Sequence, residues 1–264
     1  MKFLINMGDW NTLHIFNDRY FFEHLVPDFK GDGTIFKNYW DSPLGKSILW
    51  GHDNGEARTQ HMIELCRQLQ PDFKVHEKYY EILNRKKKPT ETYEDFRLKQ
   101  HQDEDLFLQM NTTAIEDLNI LLQAIIFSEC AAFNPHLILG RRIFTGNIEA
   151  KDGSIADEVI SQVMYQKYGS LYYCYTGGVM NWITYEELQL MWLDKENLRV
   201  AADGAEQYLH EFLAFAELAL QHTCGFISVT NVREEQLNAI ENPRLKINLD
   251  TKEKGYKYVI NYPC

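Results

Sequence analysis

The adjacent glycines Gly177 and Gly178 follow an aromatic run and precede a helical pattern, a position at which many proteins bind a phosphate group. A dinucleotide fold needs GxGxxG and a P-loop needs GxxxxGK followed by Ser or Thr, and the sequence contains neither motif. Thr184 and Glu187 have the spacing of a capping box, which uses the amides that a phosphate would need. The glycine pair is therefore interpreted as a sharp turn between a strand and a helix, with phosphate binding as the alternative.

Aromatic side chains beside these glycines are candidates for contact with another protein. If the run before the glycines is a strand, Tyr173 and Tyr175 share one of its faces, and Trp182 follows across the turn. Exposed Tyr and Trp are common anchors of binding surfaces. The alternative is a strand that is covered on both faces by other layers of the fold. The predicted partner-binding site comprises Tyr173, Tyr175 and Trp182, with Glu186 and Glu187 supplying negative charge.

Nine histidines prompt a search for metal-ligand spacing. His52 and Asp53 form an HD dipeptide, and His61 lies three residues before Glu64. Neither HExxH nor CxxC occurs, and no other spacing is typical of a zinc site. We predict neither a metal site nor a bound cofactor.

Glu129 lies late in a strongly apolar helical pattern. Burial would raise the pKa of its carboxyl group, which is how proteins produce a general acid. The alternative is a helix end at which the carboxylate reaches water or accepts a backbone N–H. A hydrolase with an unrecognised motif, using His52, Asp53, His61 or Glu129, is one hypothesis for the function.

Hydrophobic periodicity and capping residues divide the chain into predicted elements. Helices are predicted over 56–70, from Thr113 to about Phe133, from Ser154 to Gly169, from Thr184 through Trp192, and from Asp203 to about His222. Strands are predicted over 1–7, 136–144, 171–176 and 224–230, and hairpins over 35–51 and 244–262, whereas 12–26 fits either type.

This mixture of elements predicts an α+β fold, with a mostly antiparallel sheet that contains hairpins and is backed by several helices. The polar stretch 91–110 is predicted to be a linker or an exposed excursion. It would separate an N-terminal α+β part, 1–90, from a C-terminal α+β part, 111–264. The alternative is one continuous domain.

Composition narrows the functional classes. The formal net charge is −11, from 38 acidic and 27 basic residues, which argues against nonspecific nucleic-acid binding. No apolar run is long enough for a transmembrane helix, so no membrane association is predicted. The five cysteines are widely spaced without CxxC, which favours a reduced, cytoplasmic protein.

Together these patterns favour a cytoplasmic, non-catalytic protein that binds another protein. One concrete form is an immunity-type inhibitor that covers the basic active site of a toxin with acidic and aromatic groups. The alternatives are the hydrolase and a structural homo-oligomer that uses the aromatic surface as its own interface. Replacing Tyr173 and Tyr175 by Ala is expected to weaken partner binding without unfolding the protein.

Overall fold

The computed structural model describes residues 11–48, 55–68, 88–96, 98–99, 112–138, 148–165, 178–200, 206–230, 240 and 242–247. Within these residues a four-stranded antiparallel sheet lies between two layers of helices, and two short strands form a separate antiparallel pair. The predicted α+β class, with an antiparallel sheet backed by helices, is confirmed.

The strands are β1 (Asn11–Phe16), β2 (Ala131–Ile138), β3 (Ile148–Ala150), β4 (Gly178–Ile183), β5 (Leu198–Val200) and β6 (Gly225–Thr230). The first helical layer contains α1 (Asp18–Tyr20), a π-helical turn (Phe21–Leu25), α2 (Val26–Lys30), α3 (Thr34–Asp41), α4 (Pro43–Ile48), α5 (Gly55–Gln68) and α6 (Thr112–Glu129). The second layer contains α7 (Ile155–Tyr165), α8 (Tyr185–Leu193) and α9 (Glu206–Gln221).

The main sheet has the strand order β2-β1-β6-β4, and β3 pairs with β5. All neighbouring strands are antiparallel. Alternate side chains of β1 point to opposite faces, so Phe16 packs in the first layer's core, whereas Leu13 and Ile15 pack in the second layer's core. Both faces of the central strands are therefore covered, and buried polar residues such as Thr12 and His14 lie on the same face of β1 as Phe16.

The predicted hairpin over 35–51 is wrong where the structure describes it, because residues 34–41 and 43–48 are helical. Phe36 is buried in the first core, and Tyr39 and Trp40, three and four residues later, pack against the same core. Pro43 occupies the first turn of α4, where its missing N–H costs nothing. Ser42 Oγ accepts the Gly45 N–H at 2.9 Å, so this Ser-Pro pair begins a helix rather than a turn.

The prediction that the glycine pair Gly177 and Gly178 leads from a strand into a helix is wrong on its second side, because a strand directly follows it. Gly178 is the first residue of β4, and the next helix, α8, begins only at Tyr185. The residues between Gly178 and Ile183 form a strand that pairs with β6. Gly177 itself lies outside the described residues.

Other predicted elements are confirmed with shifted ends. The helices at 55–68, 155–165, 185–193 and 206–221 and the strand at 225–230 correspond to predictions. The helix predicted from Thr113 begins at Thr112 and ends at Glu129, because Ala131 already pairs in β2. Residues 11–16 form a strand and 18–30 are helical, which resolves the ambiguous stretch. Residues 242–247 are neither helix nor strand, and the remainder of the closing hairpin lies outside the described residues, as do 1–7 and 171–176.

The four-stranded sheet draws on both predicted parts of the chain. β1 comes from 1–90 and lies between β2 and β6, which come from 111–264. Residues 93–96, within the predicted linker, are helical. The division of the chain at 91–110 stays a prediction.

Candidate functional site

Helix α8 begins with the capping box that the sequence predicts. The Thr184 N–H donates to Glu187 Oε2 at 2.6 Å, and the Glu187 N–H donates to Thr184 Oγ1 at 3.2 Å. These reciprocal bonds satisfy amides that would otherwise lack partners at the helix start. They also place Glu187 in a structural role at the start of α8.

The other end of α8 is fastened to the neighbouring helix α7. Asp194, the residue after α8, accepts the Ala156 N–H of α7 at 3.0 Å and the Asn197 side-chain N–H at 2.7 Å. The hydrogen bond from Ala156 is the largest of the effects that lower the pKa of Asp194. Asp194 thus stays ionised and caps the start of α7, so both ends of α8 are fixed.

One side of α8 packs in the second core and the opposite side faces solvent. Leu188 and Met191 are fully buried. Leu193 is 81% exposed, more than any other large apolar side chain among the described residues. The exposed side, called the α8 face below, consists of Glu186, Gln189, Leu190 and Leu193.

The surroundings of the α8 face add apolar surface and acidic charge. Ile155 at the start of α7 is exposed and lies beside Asp194, which also accepts its backbone N–H. Glu158 and Glu196 are exposed in the adjoining α7 and the turn after α8. Lys195 lies with its Nζ 3.9 Å from the centre of the Trp192 ring, where a cation–π contact holds it. The result is a small apolar patch with acidic side chains around it and with Lys151 and Lys195 near Asp194.

The residues of the predicted partner-binding site fall in different environments. Glu186 lies on the α8 face, and Glu187 lies in the helix cap. The expectation that Trp182 is exposed is wrong, because the side chain is only 2% exposed. Trp182 pairs with Ile227 across β4 and β6, and its ring lies 5.5 Å from that of Phe21 in the first core.

Tyr173 and Tyr175 lie outside the described residues. Leu190 and Leu193 were not identified from the sequence. The segment LQLMWL is apolar at five of its six positions, so the sequence alone does not show which leucines face solvent. The signal available was the spacing of Glu186, Leu190 and Leu193, three and four residues apart on one side of a capped helix.

Glu129 lies among hydrogen-bond donors at the end of α6. Its Oε1 accepts the Tyr39 hydroxyl at 3.0 Å, and its Oε2 accepts the Tyr20 hydroxyl at 3.4 Å. Arg244 Nε donates to Oε2 at 3.1 Å, and its guanidinium lies 4.6 Å from the centre of the Tyr20 ring. A carboxylate that accepts hydrogen bonds from three side chains suits a structural anchor at the end of α6. Burial raises the pKa of the neighbouring Tyr39 hydroxyl, so that hydroxyl stays a donor.

A buried pair of histidines lies beneath the first layer. His14 and His136 are opposite each other in β1 and β2, and their ring centres are 5.2 Å apart. His14 Nε2 and the Thr12 hydroxyl are hydrogen bonded at 2.8 Å. The rings of Phe127 and Phe133 pack against His14 at 4.6 and 5.9 Å. This cluster is enclosed and offers no route for a substrate within the described residues.

In the described ranges, no three His, Cys, Asp or Glu side chains are grouped so that they could hold a metal ion. His52 and Asp53 lie outside those ranges, and His61 is half-buried on α5. No helix in the described part of the chain is long and apolar enough to cross a bilayer. Comparisons with protein-family models, with curated proteins and with solved structures found no match.

Proposed function

We propose that this chain is a cytoplasmic, non-catalytic protein that binds a basic protein partner through the α8 face. The observation that carries the proposal is the exposure of Leu193 and Leu190 on a helix that is fixed at both ends. Because the backbone of α8 is already ordered, a partner that covers these leucines has to order only their side chains. Such residues are therefore suited to anchor an interface.

The charge of the molecule indicates the chemistry of the partner. The chain carries a net charge of −11, and Glu186 and Glu196 stand at either end of the apolar patch. A complementary surface would present one or two apolar residues between Lys or Arg side chains. An immunity-type inhibitor that covers a basic toxin surface is one protein of this kind. Tyr173 and Tyr175 stay proposed as further contacts.

The experiment begins with chemical cross-linking in native lysate, which identifies a partner that is then purified. The affinity of this partner is measured by calorimetry with the wild type and with Leu193→Ser. We expect at least a tenfold loss of affinity, because the substitution removes the most exposed apolar anchor without touching the core.

Leu98→Ser is the matched control, because Leu98 is 61% exposed but lies far from α8 in the sequence. It should leave the affinity unchanged. Equal affinity of the Leu193→Ser variant and the wild type would contradict the proposal. If sedimentation instead shows a wild-type dimer that Leu193→Ser converts to a monomer, the α8 face is a self-interface and the homo-oligomer alternative replaces the proposal.

A further inference from the structure

A cleft of about 840 Å³ lies between the second half of α3 and the beginning of α5, in the first helical layer. It is on the opposite side of the sheet from the α8 face, so it is independent of the proposed partner site. The volume falls in the range of small-molecule sites. The side chains that define its chemistry are Lys37, Trp40, Asp41, Glu56, Thr59 and Gln60.

The two walls have the same helical spacing. Trp40 and Asp41 follow Lys37 by three and four residues on α3, and Thr59 and Gln60 follow Glu56 by three and four residues on α5. Residues with this spacing form a single stripe along a helix. Other sides of the same helices pack in the core, through residues that include Phe36, Met62 and Ile63. The cleft is thus built from two facing stripes on helices that the core holds in place.

Gly55 sets the distance between these walls at one end. A Cβ atom added to Gly55 would lie 1.7 Å from Nε1 of Trp40, so only glycine permits this approach. The edge of the indole is therefore held against the first residue of α5. The ring, which also packs against the first core, forms an aromatic wall of the cleft.

Of the polar groups in the cleft, Gln60 Nε2 donates to Glu64 Oε1 at 3.4 Å, whereas the three charged side chains lack partners within the described part of the chain. Neither an ion pair nor a hydrogen bond joins the side chains of Lys37, Asp41 or Glu56 to another described residue. Thr59 is only 2% exposed and lies at the wall of the cleft. The three charged groups are therefore available to a ligand that enters the cleft.

We propose that this cleft binds a small organic cation with an apolar body, such as an alkylguanidinium or an alkylamine. One ammonium and two carboxylates leave the lining with a net charge of −1, which complements a monocation. The Trp40 ring offers a cation–π contact and an apolar wall. The carboxylates of Asp41 and Glu56 would form ion pairs with the charged group of the ligand. The Thr59 hydroxyl would accept a hydrogen bond from one of its N–H groups.

The experiment compares n-butylguanidinium with n-butylurea, which has nearly the same shape and no charge. Each is titrated into the full chain by calorimetry and by intrinsic tryptophan fluorescence. We expect butylguanidinium to bind at least tenfold more tightly than butylurea. Equal binding of the two compounds, or binding of neither, would overturn the proposal.

Variants locate the binding site. Glu56→Gln keeps the shape of an exposed side chain, removes one carboxylate and should weaken butylguanidinium binding at least fivefold. Trp40→Phe should weaken it and also remove the fluorescence change. Glu217→Gln, which neutralises an exposed glutamate on α9, is the matched control and should change nothing. If Trp40→Phe does not fold, Glu56→Gln decides alone, and unchanged affinity in that variant would refute the site.

Discussion

His14 and His136 show how burial changes the behaviour of single residues. Both side chains are fully buried in the sheet. Burial, together with the neighbouring His136, holds the pKa of His14 well below its usual range. Burial also lowers the pKa of His136 to about 4. Both rings are therefore neutral at pH 7, and protonating either one in the folded state is unfavourable.

This depressed pKa predicts a loss of stability in mild acid. The folded-state pKa of His136, about 4, lies below the unfolded value, so the unfolded chain binds more protons between these two values. The contribution to the free energy of unfolding is complete above about pH 6.5 and falls by roughly 3 kcal/mol as the pH drops to the folded pKa.

Urea unfolding of the wild type and of His136→Phe at pH 7 and pH 4.5 measures this contribution. The variant should lose less stability over this interval. His210→Gln, which changes an exposed histidine on α9, should retain the wild-type pH dependence. A variant as acid-sensitive as the wild type would show that His136 does not cause the effect.

The Glu129–Arg244 pair predicts a measurable coupling energy. Glu129 is mostly buried and holds two tyrosines as well as Arg244, whereas the Arg19–Glu23 pair is exposed on both sides. A double-mutant cycle with Glu129→Gln and Arg244→Gln should give a coupling of about 1 kcal/mol in urea unfolding. The same cycle at Arg19 and Glu23 should give about 0.3 kcal/mol. Equal couplings would contradict the role of Glu129 as an anchor.

At the scale of elements, the sequence correctly predicts the caps at the beginnings of two helices. Thr184 and Glu187 form the expected capping box, and Ser154 accepts the Asp157 N–H at 3.1 Å at the start of α7. Such caps involve residues three apart in the chain, so they are readable without knowledge of the fold.

Features decided by distant contacts were not predictable in the same way. The aromatic residues of α3 fit a helix as well as a strand until the core that buries Phe36 is known. Trp182 is covered by Phe21, which lies 161 positions earlier in the sequence. Arg244 approaches Glu129 from a segment without helix or strand. Which leucines of α8 are exposed depends in turn on which side of the helix packs in the second core.

The end of α9 carries a strained residue whose replacement should stabilise the protein. Thr223 has φ = 55°, a left-handed conformation that a β-branched side chain rarely adopts. The Thr223 N–H donates to Leu220 O and the Cys224 N–H donates to Ala219 O, which is the Schellman pattern that normally has glycine at this position. Thr223→Gly should raise the free energy of unfolding by about 1 kcal/mol. Thr223→Ala, measured in parallel, should give a smaller gain, and a loss of stability in Thr223→Gly would contradict the strain.

At the scale of the whole molecule, the two cores share one sheet. Leu25 lies in the first core and Leu188 in the second, and both are fully buried. β1 and β6 contribute side chains to both cores. Unfolding of one layer therefore exposes one face of these strands to water and destabilises the sheet on which the other layer packs. The described parts of the chain should therefore unfold together.

Leu25→Ala and Leu188→Ala test this coupling. Each should lower the free energy of unfolding by about 2–5 kcal/mol, because each leaves a cavity in a packed core. In both variants, tryptophan fluorescence and far-ultraviolet circular dichroism should follow one coincident transition. Two separated transitions in either variant would show that the layers unfold independently.

The two caps of α8 also have a consequence for the rate at which the proposed partner would dock. A helix held by Thr184 at one end and by Asp194 at the other needs no ordering step before contact. Association would then be limited by diffusion and by attraction between opposite charges. Raising the ionic strength should slow association of a basic partner and leave its dissociation nearly unchanged, as in a collision between two surfaces already in their final shape.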